Sequence, residues 1–178
     1  MRAPALALIF LAPVALSGCD GSVDPLGLFP EPTRAESAPL ELTGRVVDAA
    51  DLIPDLIEAD LTTQLAELER DTKAQLVVVT TSSLDGLTIQ DYGLRLGRGW
   101  GLGDKERDDG LLLFVAPNER KVRIEVGYGL EKSLPDDRCA EFIEMMLPSF
   151  SGGDYVAGIE NGVDLLDREL RTKLGKTT

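Results

Sequence analysis

RDDGLLLFVAPNERKVRIEVGYGLE, residues 107–131, is the stretch whose reading decides the fold. Residues 111–116 form an unbroken apolar run of strand length, the pattern of a central strand covered on both faces. Residues 121–127 alternate charged Lys121, Arg123 and Glu125 with apolar Val122, Ile124 and Val126, the period of a half-buried strand. Between them Pro117, Asn118, Glu119 and Arg120 are turn formers, which predicts an antiparallel hairpin with Ala116 opposite Lys121. Counting outward from that pair places Asp109 opposite Tyr128 and Asp108 opposite Gly129. The acids before the first strand then share one end of the sheet with Gly127, Tyr128, Gly129 and Glu131. That end is the candidate site.

Upstream, residues 75–81, QLVVVTT, are β-branched and apolar in the middle, as in a strand covered on both faces. Asp85 and Gly86 make a turn, Thr88 is placed to cap a helix with Asp91 three positions on, and Ile89, Tyr92 and Leu96 mark its buried stripe as far as Trp100. Strand, helix and the strand at Leu111 form a parallel, right-handed crossover unit. Gly93, Gly97 and Gly99 weaken that helix, so they are expected where it lies close against the sheet. Further back, residues 44–48 form a short extended stretch ending in Asp48 as a helix N-cap. Leu52, Leu56, Leu61, Leu65 and Leu68 follow at near-helical spacing, with Pro54 in the first turn and the end near Arg70. Downstream, Pro135 opens a helix carrying Phe142, Ile143, Met146 and Leu147, which Pro148 is expected to end. A last helix, residues 155–174, presents Ile159, Val163, Leu166 and Leu170 on one face. These elements predict an α/β fold, a three-layer αβα sandwich around a small mixed β-sheet with a C-terminal-side hairpin, over residues 41–174.

The remaining chain divides in two. Residues 1–18 carry Arg2 and then a short apolar, proline-interrupted run, the form of a cleaved signal segment and too short for a spanning helix. It ends Leu16-Ser17-Gly18-Cys19, which resembles the lipobox of bacterial lipoproteins, where the cysteine is acylated. Cys19 is therefore the expected lipid attachment, and several acyl chains give stable anchoring where one does not. Residues 19–40, with Pro25, Pro30, Pro32 and Pro39 and no apolar period, read as a flexible tether. The expected location is the bacterial cell envelope, lipid-anchored and facing the periplasm or the exterior.

Composition narrows the chemistry. With 18 basic against 31 acidic residues the chain is not expected to bind nucleic acid. Histidine is absent, removing the commonest general base and zinc ligand. Ser82 and Ser83 have neither a nucleophile elbow nor a histidine, which excludes serine hydrolase chemistry of the usual kind. Gly101-Leu102-Gly103-Asp104-Lys105 lacks the ending of a phosphate-cradling loop and follows a helix instead of a strand. Cys139 has no partner to activate it and reads as a packed core thiol. Carboxylates remain: Asp104, Glu106, Asp108 and Asp109 before one strand, Glu131, Asp136 and Asp137 after its partner. Carboxylates with glycine-loop carbonyls suit a hard divalent cation such as calcium, for which Asp108, Asp109, Glu131 and Asp136 are the candidate ligands. The same residues equally describe a solvated acidic rim.

Taken in order, GRVVD at 44–48, QLVVVTT with Ser83, Leu84 and Gly86, WGLG at 100–103, DGLLL at 109–113, RKVRIEVGYGLE at 120–131 and Phe150 with Gly153, Asp154, Tyr155 and Gly158 resemble the successive motifs of the TPM domain. That family is named for a thylakoid-lumen protein, a photosystem II protein and a nematode acetylcholine-receptor modulator. The resemblance implies an αβα sandwich on membrane-attached, extracytoplasmic proteins, with acid phosphatase activity in one plant branch and calcium binding in bacterial members. Many bacterial relatives continue into a transmembrane helix, whereas this sequence is expected to take its attachment from Cys19. Asp109 stands where the family commonly has Asn, which adds charge to the cation site. Two functions follow as expectations: a membrane-tethered, calcium-binding accessory or modulator of a membrane protein complex, or a metal-dependent acid phosphatase using the carboxylate cluster.

Overall fold

The computed structural model describes residues 38–175; the signal segment, Cys19 and the tether as far as residue 37 lie outside the described residues. The elements are β1 (Val46–Asp48), α1 (Asp55–Thr72), β2 (Gln75–Thr80), α2 (Ile89–Trp100), β3 (Gly110–Ala116), β4 (Lys121–Val126), α3 (Asp136–Ser151) and α4 (Tyr155–Leu174). One four-stranded sheet runs in the order β1-β2-β3-β4. The first two pairings are parallel and the last is antiparallel. The hairpin register is the one its turn predicts, with Ala116 opposite Lys121 and Leu111 opposite Val126.

Every residue of β3 is buried, which is why its sequence shows no alternation. Leu111, Leu113 and Val115 face one layer, where they meet Leu61, Leu65 and Leu68 of α1, Phe142 and Met146 of α3, and Ile159, Val163 and Leu166 of α4. Leu112, Phe114 and Ala116 face the other, against Tyr92 and Leu96 of α2. Tyr92 stacks on Phe114 with ring centroids 5.2 Å apart. Side chains of this size each contribute about 1.5–3 kcal/mol when fully buried, so the central strand anchors both cores. The result is the expected three-layer sandwich, with three helices on one face and one on the other.

That distribution bears on handedness. The strand order advances steadily from β1 to β3, yet α1 and α2 cover opposite faces. The two parallel crossovers therefore have opposite hands, and the right-handed rule holds for only one of them.

Three local expectations change. Asp48 does not cap α1: its Oδ2 accepts the Ile53 N–H at 2.7 Å and its Oδ1 accepts the Thr80 hydroxyl, so it ties β1 and its following loop to β2. Helix α1 starts after Pro54, whose ring fits the N-cap position, and Leu56 is largely exposed outside the stripe. Pro148 does not end α3, which runs on to Ser151. A proline loses one main-chain bond, and continuous packing against α4 can outweigh that. The chain turns instead at Gly153, at φ 82°, and restarts where the Asp154 side chain accepts the Ala157 N–H at 3.0 Å. Thr88, by contrast, caps α2 as its spacing predicts, accepting the Asp91 N–H at 3.0 Å.

The N-terminal edge of the described chain closes the α2 layer. Ala38 and Leu40 pack beside Trp100, whose Nε1 donates to the Leu40 carbonyl at 2.8 Å. Among the described residues no helix is long and apolar enough to cross a membrane.

Candidate functional site

The glycine-rich segments at one end of the hairpin pack main chain on main chain. Gly129 donates its N–H to the Asp108 carbonyl at 3.0 Å and Gly127 donates to Gly110 at 2.8 Å, so the predicted register continues past the strands. A methyl group on Gly129 would fall 1.7 Å from the Arg107 carbonyl oxygen, and one on Gly103 would fall 2.4 Å from the Gly110 nitrogen. Glycine is required at both positions because no side chain fits between the chains.

Beside this junction lies a cavity of about 490 Å³ between α2, β4 and the loops that follow them. Gly93 and Gly97 of α2 form one wall. Gly93 has the close contact expected of it, since an added Cβ would meet the Glu125 carboxylate at 3.1 Å; nothing lies within 4 Å of such an atom on Gly97. The first glycine lets the helix approach β4, and the second leaves space.

Of the four candidate ligands, Asp108, Glu131 and Asp136 line the cavity. They come from the α2–β3 loop, the turns after β4 and the first turn of α3. Asp108 has a left-handed φ of 49°. Asp109 does not line it. Its carboxylate is buried in the α2–β3 loop, where Oδ1 accepts the Asp104 N–H at 2.8 Å and Oδ2 pairs with Nε of Arg107. Asp104 in turn accepts the N–H groups of Glu106 and Arg107 at 3.0 and 3.2 Å. Those two bonds hold the Asp104 carboxyl below the usual carboxylate range, the first contributing most. Among the described residues no three acidic side chains converge closely enough to share an ion.

The sequence reading passed over the charged face of β4. Arg123 and Glu125 form an ion pair on the floor of the cavity, under Gly93, and Arg98 of α2 stands on its wall. The signal was present in the alternation of charges along β4, because the second face of a strand lying beneath a glycine-bearing helix is a lined surface instead of open solvent. Tyr128, at the rim, is 80% exposed. Cys139 lies in the other core; burial pushes its thiol up to about 11, in keeping with an inert packing role.

Comparisons with known proteins bear on the whole domain. Residues 46–169 match the family model described as the TPM domain. No protein of curated function matches the chain. The N-terminal domain of a protein from P. gingivalis, solved by solution NMR, is 34% identical, with a TM-score of 0.68 over 74% of this chain and 85% of that one. The N-terminal domain of a Corynebacterium glutamicum protein is 16% identical, with a TM-score of 0.58 over 79% and 86% of the two chains. A protein of the psychrophilic bacterium Bizionia argentinensis is 15% identical, with a TM-score of 0.63 over 71% and 88%. The last two share the fold alone. The family match spans both cores and the glycine junction that carries the cavity, and on that ground the chain belongs to the TPM domain family.

Proposed function

We propose that this TPM domain is the extracytoplasmic part of a lipoprotein anchored through Cys19, and that it binds a divalent cation, calcium by preference, in assisting or modulating a membrane protein complex. The observation supporting the cation reading is that Asp108, Glu131 and Asp136, from three separate segments, line one cavity beside main-chain carbonyls of the glycine junction. That donor set is all oxygen, which suits calcium's six to eight ligands. Loading requires Glu131 and Asp136, both exposed and both on segments after β4, to swing inward towards Asp108. Asp109 serves the site indirectly by fixing the loop that carries Asp108.

Thermal unfolding with millimolar calcium, magnesium or chelator tests this. Calcium at 100 times its dissociation constant stabilises by about 2.7 kcal/mol, and magnesium, which gives up its waters reluctantly, stabilises less. A midpoint that ignores calcium, or that rises equally in an Asp108→Ala, Glu131→Ala variant, sinks the cation reading. Fractionation tests the anchor: Cys19→Ser is expected to yield an unprocessed or soluble chain, and a processed, carbonate-resistant membrane form overturns it. Aryl phosphate turnover in the usual enzyme range of roughly 1 to 1,000 per second, abolished by Asp108→Ala, would install the phosphatase reading in place of ours.

A further inference from the structure

The two helical layers of the sandwich carry unequal charge. Helices α1, α3 and α4, on one face of the sheet, hold fourteen acidic residues against five basic ones, and none of those acids is buried. That layer therefore carries nine net negative charges, fourteen less five, out of −13 on the whole chain. On the other face α2 holds Asp91 against Arg95 and Arg98. Two packing distances of about 10 Å separate the layers, more than the screening length of about 8 Å at physiological salt. Each face thus meets a charged surface independently of the other.

The α2 side is mixed, not basic. Arg107 bonds Asp104 and Asp109, Arg123 bonds Glu125, and Arg98, Lys105 and Lys121 stand against Asp91, Glu106 and Asp108. Leu94, 42% exposed, and Tyr128, 80% exposed, both border the cavity on this side. Leu56, Met145 and Leu147 are exposed in the other layer too, but they stand among its acids. The described chain also enters on the α2 side. Ala38 lies against Gly99, where an added Cβ would meet it at 2.7 Å, and Trp100 donates to the Leu40 carbonyl. Eighteen residues separate Ala38 from Cys19.

We infer that the α2 side is a membrane-docking face: Leu94, Arg98, Lys105 and Tyr128 rest on the headgroups of an anionic bilayer, and the acidic three-helix layer faces away. The inference rests on the anchor proposed above, because the chain must be held at its N-terminal end. An anionic surface attracts each nearby cation and repels each anion within a screening length. The three-helix layer meets the larger repulsion, so charge turns it outward more than it draws α2 inward. Entry of the chain beside Gly99 and Trp100 brings α2 nearest the anchor. Attachment holds the face at an effective concentration on the order of millimolar, so weak contacts suffice. Leu94 and the ring of Tyr128 supply apolar contact at the headgroup level, with the Tyr128 hydroxyl left in water. Docked in this way, the cavity of about 490 Å³ opens beside the headgroups.

The test couples the full chain through the Cys19 thiol to maleimide lipid in nanodiscs of phosphatidylcholine and phosphatidylglycerol in equal parts. The buried Cys139 does not compete for the reagent. Coupling bypasses acylation in the cell, so a failure of the lipoprotein reading, seen by fractionation, is distinct from a failure here. A gadolinium chelate on some headgroups enhances the relaxation of nearby amides. Enhancement at Leu94, Arg98 and Gly101 should exceed that at Asp164 and Arg168 of α4 by about fivefold or more, the bias that one charge supplies at an anionic surface. Leu94→Glu with Arg98→Glu and Lys105→Glu, shown to be folded by an otherwise unchanged amide spectrum, should reduce the contrast below about twofold. Equal enhancement of the two helices, greater enhancement of α4, or a contrast unchanged in the variant would each overturn the inference. So would the same contrast in phosphatidylcholine alone, which would trace the orientation to the point of attachment.

Discussion

Asp109 accepts the main-chain N–H of Asp104 at 2.8 Å, and that bond converts two residues of an acidic run into a clasp. Asp109 is buried, with Arg107 on its second oxygen. Losing it leaves the Asp104 N–H and the Nε of Arg107 without their acceptor, though the guanidinium keeps its pairing with Asp104 at 3.4 Å; an unmet donor of this kind costs about 1–3 kcal/mol. Asp109→Ala should therefore lower stability to urea by about 2 kcal/mol, and Asp109→Asn, which keeps an acceptor oxygen, by less. Equal losses in the two variants would show that the clasp does not depend on that oxygen.

The two kinds of glycine separate cleanly. Gly129→Ala forces a methyl group against the Arg107 carbonyl and should prevent the junction from closing, seen as loss of a cooperative melt or a large drop in midpoint. Gly97→Ala meets nothing and gains helix propensity, so it should stabilise by about 0.5–1 kcal/mol while narrowing the cavity. A destabilised Gly97→Ala would mean that the wall of α2 is tighter than its open surroundings indicate.

Acid sensitivity has an assigned contributor in Asp104. Its folded pKa lies below the unfolded value, so its contribution is present above the unfolded carboxylate range and fades as pH falls through the depressed value. In Asp104→Asn the charge-linked part is missing at every pH. The stability gap between wild type and variant should close as pH drops from about 5 towards 2. A gap independent of pH would assign the residue no charge-linked role.

Cys139 supplies the opposite sign. Its folded thiol is raised to about 11, so it favours the fold fully below the unfolded thiol pKa and loses that contribution as pH rises through about 11. At neutral pH the folded chain should leave Cys139 unmodified by a thiol-disulfide reagent, and denaturant should expose it. Rapid labelling of Cys139 in the folded protein at pH 7 would contradict its burial.

The hairpin, the capped start of α2 and the stripe of α4 were legible because each is specified locally. A four-residue turn between an apolar run and an alternating one leaves a single register, and Thr88 with Asp91 spells its own cap. Pro148 misled because its effect on a helix is local, while the packing that carries α3 past it belongs to residues far along the chain, Ile159 and Val163 among them. Leu56 misled for a related reason: its spacing fits the α1 stripe, but the sheet and α4 cover only part of that helix.

By itself, the sequence determined which residues reach the acidic end of the sheet, since strand period and turn length place Asp108 and Asp109 across from Gly129 and Tyr128. Tertiary structure alone decided what those neighbours do. Asp108, at a left-handed φ, lines the cavity, while the Asp104 N–H with Arg107 captures Asp109 inside the loop. It also placed α2 over the charged face of β4, turning an alternation that reads as solvent-facing into the floor of a cavity. Side-chain direction at a loop depends on one backbone angle and on partners that the chain gathers only when folded, and neither is encoded in periodicity.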